Sequence, residues 1–583
     1  MLRTSPRLSS LPSVPLGFVA ALLLLAAPGC KDDSANGDGD GTESDSATDS
    51  NSGPSGGSDA SESGSGDVTG GDAGEEIEPA PGGIRRMVTR EYVATIDMLL
   101  GPEAAAVAAP PVDTPQDGFD AVGAAELALD SVAVEQYETS AGLIADATIA
   151  NPTRLAETAA CVVGSPDAAC YEDVARDFGR LAFRRPLEAA EIDLLVEVGE
   201  HGQAWGDGAF EAGLRFQLMA ILQMPSFLYL VEIGQPDAES GFRKLDSYEL
   251  ATRMSIFLLG RGPDAAMLDL AQGGALDTDA QIREQAQAML GSPQARAALA
   301  GFFDEYLRLA DLETDSKNAE LFPTYSVELA RSMRQESLLL VHDIVWEQDG
   351  DYRELFTADY TFVNDALAQL YGMPGPAQAG LYARTPWPEA QHRAGYLSQA
   401  SFLTHQSSSL RNSPTKRGRF IQQSVLCTDI PPPPQGVDPS LPPLTEDLTL
   451  RELLLMHLED PSCAGCHGVT DPLGFAFENY DAIGAYRTNE LGGLPVSSQG
   501  EIDGFGSWEN AQELADVVAA DPRTSKCFVN NLIRGELGHR ETPGESAAID
   551  ALDLTFAESE FSVQTLMAEF PTSPLFQLVD EPK

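Results

Sequence analysis

Cys463-Ala464-Gly465-Cys466-His467 constrains this 583-residue chain more than any other stretch. Two closely spaced thiols followed at once by an imidazole form the attachment signature of a c-type haem. The chemistry sets the spacing. The thiols form thioethers with the vinyl groups on one edge of a porphyrin, and the imidazole then falls under the iron as its proximal ligand. The fold must therefore present all three side chains to one flat group. A single copy of the motif implies one haem c, bound by Cys463, Cys466 and His467. Two other readings compete. A zinc site needs four ligands at comparable spacing, yet the chain has neither a second Cys-x-x-Cys nor a His-x-x-x-His. A thioredoxin-like redox pair starts a helix after a strand, and no βαβ pattern surrounds this one.

The N-terminus supplies a compartment. Arg3 and Arg7 precede an apolar run from Val14 to Ala27, too short to span a bilayer comfortably, and the run ends in Ala27-Pro28-Gly29-Cys30. Positive residues, an apolar run and small residues before a cut read as a secretion signal. A cysteine just after the cut resembles the lipobox of bacterial lipoproteins, in which the Cys30 thiol would receive diacylglycerol. Ala27 stands where leucine is usual, and Pro28 is atypical. The competing reading is an ordinary signal peptide with a chance cysteine. Covalent haem attachment takes place outside the cytoplasm, so an exported chain is where the 463–467 motif can be used. Lys31 replaces the aspartate associated with inner-membrane retention in some bacteria. The expected place is therefore the bacterial cell envelope, at the outer membrane or cell surface rather than the inner membrane, with the lipid as membrane contact.

Residues 31–80 carry 14 acidic side chains and one lysine among Gly, Ser and Thr. Such a segment cannot bury enough surface to offset its ordering entropy, and it reads as a disordered tether. The formal net charge of the chain is −54, far more than the tether holds, so the body is acidic too. That argues against nucleic acid as a partner and leaves a basic redox protein as one that fits. No later apolar run reaches membrane-spanning length.

The body is expected to be mainly α: several small helical modules packed in series, one of them a cytochrome c-like haem module, after the disordered tether. Segments Arg86–Leu100, Asp246–Leu259, Ser326–Trp346 and Leu448–Leu458 carry apolar residues at three- and four-residue intervals. A hairpin is expected near Leu494–Ile502, and Pro431–Pro434 reads as a stiff connector. Beyond Cys30 and the motif, four of the seven cysteines remain, an even number that suggests two disulfides in an exported protein. Cys161 and Cys170 flank a short Gly-Ser-Pro loop. Cys427 and Cys527 would then bridge about a hundred residues around the motif, or else stay buried and reduced.

The body resembles the planctomycete-type proteins built from PSD domains of unknown function around a PSCyt cytochrome c-like module. Thr89-Arg90-Glu91-Tyr92, Gly118-Phe119-Asp120 and Gln136-Tyr137 carry the first module, residues 83–148. Phe183-Arg184-Arg185-Pro186 marks the second, residues 158–222. Tyr248 to Ser255 and Phe362-Val363-Asn364 mark the third, residues 223–375. Lys416-Arg417-Gly418, the CxxCH motif and Asp471-Pro472-Leu473-Gly474-Phe475 mark the cytochrome-like module, residues 390–490. Leu537-Gly538-His539-Arg540 and Ser573-Pro574-Leu575-Phe576 close the chain in a module over residues 497–580. The signal peptide and tether occupy 1–30 and 31–80. The resemblance implies an extracytoplasmic, haem-linked protein and does not supply a reaction. As packing devices, Arg184 and Arg185 would pair with carboxylates, Arg253 would make a structural ion pair, and Asp471 to Gly474 would form a turn over the haem edge.

The second axial ligand stays open. His457 lies ten residues before the proximal histidine, where the resemblance places a histidine; His405 is the next candidate, and Met456 and Met567 are the thioether options. Thr470 occupies a position often methionine in relatives. The leading function is single-electron transfer within a cell-envelope redox complex. The alternatives are an enzyme acting on an unidentified substrate, or a surface binding or scaffold lipoprotein, with haem as accessory. The body has no Gly-x-Ser-x-Gly, His-Glu-x-x-His or nucleotide-binding glycine loop.

Overall fold

A computed structural model describes residues 77–164, 166–430, 447–456 and 461–582. The signal, Cys30, most of the tether, the Pro431–Pro434 connector and His457 lie outside the described residues. The described residues belong to one unit. It is mainly helical, with short two- and three-stranded sheets. Among the described residues no helix is long and apolar enough to cross a membrane.

The helices form where the periodicity places them, and local chemistry sets their ends. Asp246 caps the Ser247–Leu259 helix by accepting from the Tyr248 and Glu249 amides, and Glu249 reaches back to complete a capping box. Ser326 caps Val327–His342 in the same manner, through the Leu329 amide. Helix formation near Arg86 begins only at Thr89, because Gly83–Arg86 is a strand antiparallel to Tyr229–Glu232. The hairpin lies later than expected: Gly500–Ile502 pairs with Gly506–Trp508, and left-handed glycines at 504 and 506 make the reversal.

Two large cores organise the body. Tyr92, Ile96, Ile144, Phe178, Leu195, Leu218 and Phe227 belong to one, shared by the first two modules. The other runs from Phe119 to Val579 and joins the third, cytochrome-like and last modules. At its centre Phe302, Phe303, Tyr306, Tyr352, Phe528 and Phe556 stack on one another, with Tyr352 and Phe528 only 4.1 Å apart. The chain ends of the body come together. Leu578–Val579 adds to Arg243–Lys244, Pro81 bridges Asp580, and Ile77 already packs on the second core.

Candidate functional site

Pro461–Phe475 is a helix that carries the whole CxxCH motif. The stretch Asp471 to Gly474 is its last turn, not the separate turn that Asp-Pro-Leu-Gly chemistry suggests; Pro472 removes only one backbone donor near the helix end. Helical pitch then brings Asp471 beneath His467, four residues back. His467 Nδ1 meets Asp471 Oδ2 at 2.9 Å. The other carboxylate oxygen accepts from Thr415 Oγ1 at 2.7 Å and from Thr470 Oγ1 at 3.3 Å. Asp471 is 1% exposed and His467 24%. This hydrogen bond holds the imidazole above its ordinary pKa, with burial opposing. In the neutral ring a proton fixed on Nδ1 leaves Nε2 as the metal-binding nitrogen.

A second helix, Pro414–Phe420, cradles the first. Their backbones touch through glycines. A Cβ on Gly418 would stand 1.8 Å from the Thr470 carbonyl oxygen, and one on Gly474 would stand 1.9 Å from that of Pro414. Arg417 on the cradle helix is wholly buried. It donates to the carbonyls of Phe477 (2.9 Å), Leu403 (3.1 Å) and Asp481 (3.1 Å) and to Ser407 Oγ (3.0 Å). Burial pulls its pKa down to about 10. Arg417 thereby ties together the loop after the motif helix and the Ala400–His405 helix.

Among the described residues, few side chains pack on the outer side of the motif. Cys463 and Cys466 are half-buried, and nothing stands within 4 Å of a Cβ built on Gly465 or Gly468. The neighbouring Leu450–Leu455 helix shares with the motif helix a small buried cluster, made among the described residues of Leu450, Leu454 and Phe475. Leu455, Met456 and Val469 remain 43%, 59% and 36% exposed. Two thiols and an oriented imidazole beside apolar side chains that no other described residue buries fit a porphyrin, whose faces would supply apolar surface to pack on. A bare metal fits less well: among the described residues no group of three or more His, Cys, Asp or Glu side chains could hold an ion.

The other candidate ligands lie in different surroundings. His405 pairs through Nδ1 with Asp315 at 3.0 Å, and its Nε2 lies 3.7 Å from Asp311. Met456 follows the Leu450–Leu455 helix at the surface, whereas Met567 is buried in the second core. Cys161 is joined to Cys170, and Cys427 to Cys527 across 100 residues. Cys463 and Cys466 belong to neither bridge.

The arginine phrases serve packing. Arg185 pairs with Glu191, but Arg184 makes no ion pair among the described residues: it donates to the carbonyls of Ala182, Ser226, Phe227 and Tyr229. Its left-handed backbone ends the Gly179–Phe183 helix and turns the guanidinium into that carbonyl nest. Arg253 pairs with Glu232 at 2.7 Å and reaches the Phe576 carbonyl.

Sequence reasoning did not find Asp471 as the partner of His467, although His-x-x-x-Asp is the spacing of neighbours on a helix face. It also missed a buried polar cluster between the third and cytochrome-like modules. There Glu336 accepts from Thr361 Oγ1 at 2.6 Å and from Tyr371 OH at 2.7 Å. Gln399 continues the chain to Ser337, which also meets Ser401. Burial pushes the Glu336 carboxyl up to about 8.

Four family models match the chain in order. They are PSD3 (protein of unknown function, DUF1587) over residues 85–150, PSD5 (DUF1595) over 170–232, PSD4 (DUF1592) over 245–373 and PSCyt3 (DUF1588) over 393–490, all of unknown function. No curated protein and no solved structure matches. The PSCyt3 match contains both the motif helix and the cradle helix, so the crossing at Gly418 and Gly474 is internal to that module. The chain belongs to the planctomycete-type multi-module proteins built from PSD domains and a PSCyt cytochrome-like module.

Proposed function

We propose that this protein is a lipid-anchored c-type cytochrome of the bacterial cell envelope, holding one haem through Cys463, Cys466 and His467 and passing single electrons to a redox partner. The observation that carries the reading is the His467–Asp471 pair at 2.9 Å on the CxxCH helix. A haem so held supplies a one-electron iron couple. The residues of the chain do the rest. The motif helix presents both thiols on the turn that carries the imidazole. Asp471, fixed in turn by Thr415 and Thr470, keeps the proton on Nδ1 and sets the ring orientation. Arg417 and the glycine crossing hold the helix against the second core. Cys30 would carry the lipid and residues 31–80 the reach from membrane to body.

Expression of the full chain with a c-type maturation system and a lipoprotein export pathway tests this. Haem should remain with the polypeptide on a denaturing gel and disappear in Cys463→Ala/Cys466→Ala. The protein should fractionate with membranes and become soluble in Cys30→Ala. A colourless membrane-bound protein would favour the scaffold reading, and a soluble haem protein would remove the anchor.

A further inference from the structure

A polar cavity of about 360 Å³ lies where four parts of the chain meet, on residues that the haem reading does not use. Asp117 and Gly118 come from the first module and Arg308 from the third. Gln423 to Asp429 come from the cytochrome-like module, and Asn531, Arg534 and Arg540 from the last helical region. Ligand sites favour such junctions, because a junction can bring together groups that no single element presents. The Cys427–Cys527 disulfide ties two of the walls, and Cys427 itself lines the cavity.

Its charge runs against the rest of the molecule. The whole chain has 36 basic and 90 acidic residues, yet the cavity wall holds three arginines against Asp117 and Asp429. Arg540 Nη2 donates to Asp429 at 2.6 Å, and Arg534, 7% exposed, pairs with Glu541 behind the wall. Among the described residues the Arg308 guanidinium has no hydrogen-bond acceptor and no carboxylate partner; it lies over Gly118, with Nη2 3.1 Å from a Cβ built there. A half-buried arginine without an acceptor is a cation left available to a ligand. Ser424 and Thr428 hydroxyls and the Gln423 amide add neutral donors, whereas the Asn531 amide is spent on the Ser424 and Cys527 carbonyls.

The backbone of the wall is unusual as well. Asp117 (φ 46°), Arg308 (φ 58°) and Cys427 (φ 48°) all adopt the left-handed conformation, as does Gly118. Non-glycine residues rarely take it, and such residues cluster where side chains must be aimed at a ligand.

We infer that this cavity is a binding site for a small oxyanion, a carboxylate or a phosphate, with Arg308 as its principal partner. The site is independent of haem attachment. The test uses the full chain, titrated calorimetrically with inorganic phosphate and with succinate at fixed ionic strength in chloride. Saturable binding of at least one anion, at one site per chain, is expected. Binding of phosphate alone identifies a phosphoryl ligand, of succinate alone a carboxylate, and of both the shared oxyanion chemistry. Arg308→Gln should weaken binding at least tenfold, and Arg308→Lys should weaken it less, with thermal unfolding of the anion-free proteins unchanged. Arg540→Gln, away from the left-handed position, should also weaken binding and serves if Arg308→Gln unfolds. Failure of both anions to bind saturably, or equal affinity in wild type and a folded Arg308→Gln protein, overturns the assignment.

Discussion

At the scale of single residues, the site depends on polar groups buried beside the motif. Asp471 is legible only once the helix is known, because its sequence context, Asp-Pro-Leu-Gly, is also turn chemistry. Local rules favour the turn; tertiary packing against the cradle helix decides for the helix. Arg417 is the opposite case. Its phrase stands out in the sequence, but nothing local says that a guanidinium there is fully buried on carbonyl oxygens. Replacing it by Met keeps much of the volume and strands those acceptors, so Arg417→Met should lose roughly 3 kcal/mol or more of stability in urea unfolding. Glu336 makes a pH prediction. Its folded pKa of about 8 lies above the ordinary 4.5, so the folded state binds the proton more tightly than the unfolded chain. Its contribution is fully present below the unfolded value and is lost as pH rises toward the folded one. Tyr371 and Arg393 face the same carboxyl, and Arg393 favours its ionised form. Stability should therefore fall by at most roughly 5 kcal/mol across that window. Glu336→Gln, which mimics the protonated acid, should flatten the profile; an unchanged slope in denaturant midpoints against pH would remove Glu336 as its source.

At the scale of elements, the decisive contact is the crossing of the cradle and motif helices. The sequence shows Lys416-Arg417-Gly418 and Asp471 to Phe475 as separate phrases, and the structure shows that they are two halves of one contact. Their glycines are needed because backbone lies against backbone, at 1.8 and 1.9 Å from where a Cβ would stand. Gly418→Ala and Gly474→Ala should each cost ~3 kcal/mol or more by forcing the helices apart. Thermal unfolding would read the loss, and near-UV circular dichroism would show whether the module loosens locally. Helix identity was legible from the three-and-four periodicity. Helix starts were less so: the Arg86 region begins as a strand because its partner, Tyr229–Glu232, lies far along the chain. The hairpin shifted from Leu494 to Gly500–Trp508 for a related reason, since Gly504 and Gly506 set the reversal more strongly than the apolar alternation before it.

At the scale of the whole molecule, the modules visible in sequence do not each own a core. Phe119 of the first module and Phe528 of the last region lie in the same buried cluster. Local patterning cannot show such sharing, because it arises from contacts hundreds of residues apart. The Cys427–Cys527 bridge clamps the cytochrome-like module to the last region across 100 residues. Cys427→Ser/Cys527→Ser should lower stability by roughly 5 kcal/mol on the loop-entropy estimate, measured as a shift in denaturant midpoint. Reduction of the native protein, which also opens Cys161–Cys170, should lower the midpoint at least as far. The most direct test of the account is the mass of the peptide spanning Cys463 to His467, taken from full-length protein matured with a c-type haem system. One haem on that peptide, joined through both thiols, is the predicted result. An unmodified peptide from folded, exported protein, with Cys463 and Cys466 alkylated as thiols, would contradict it.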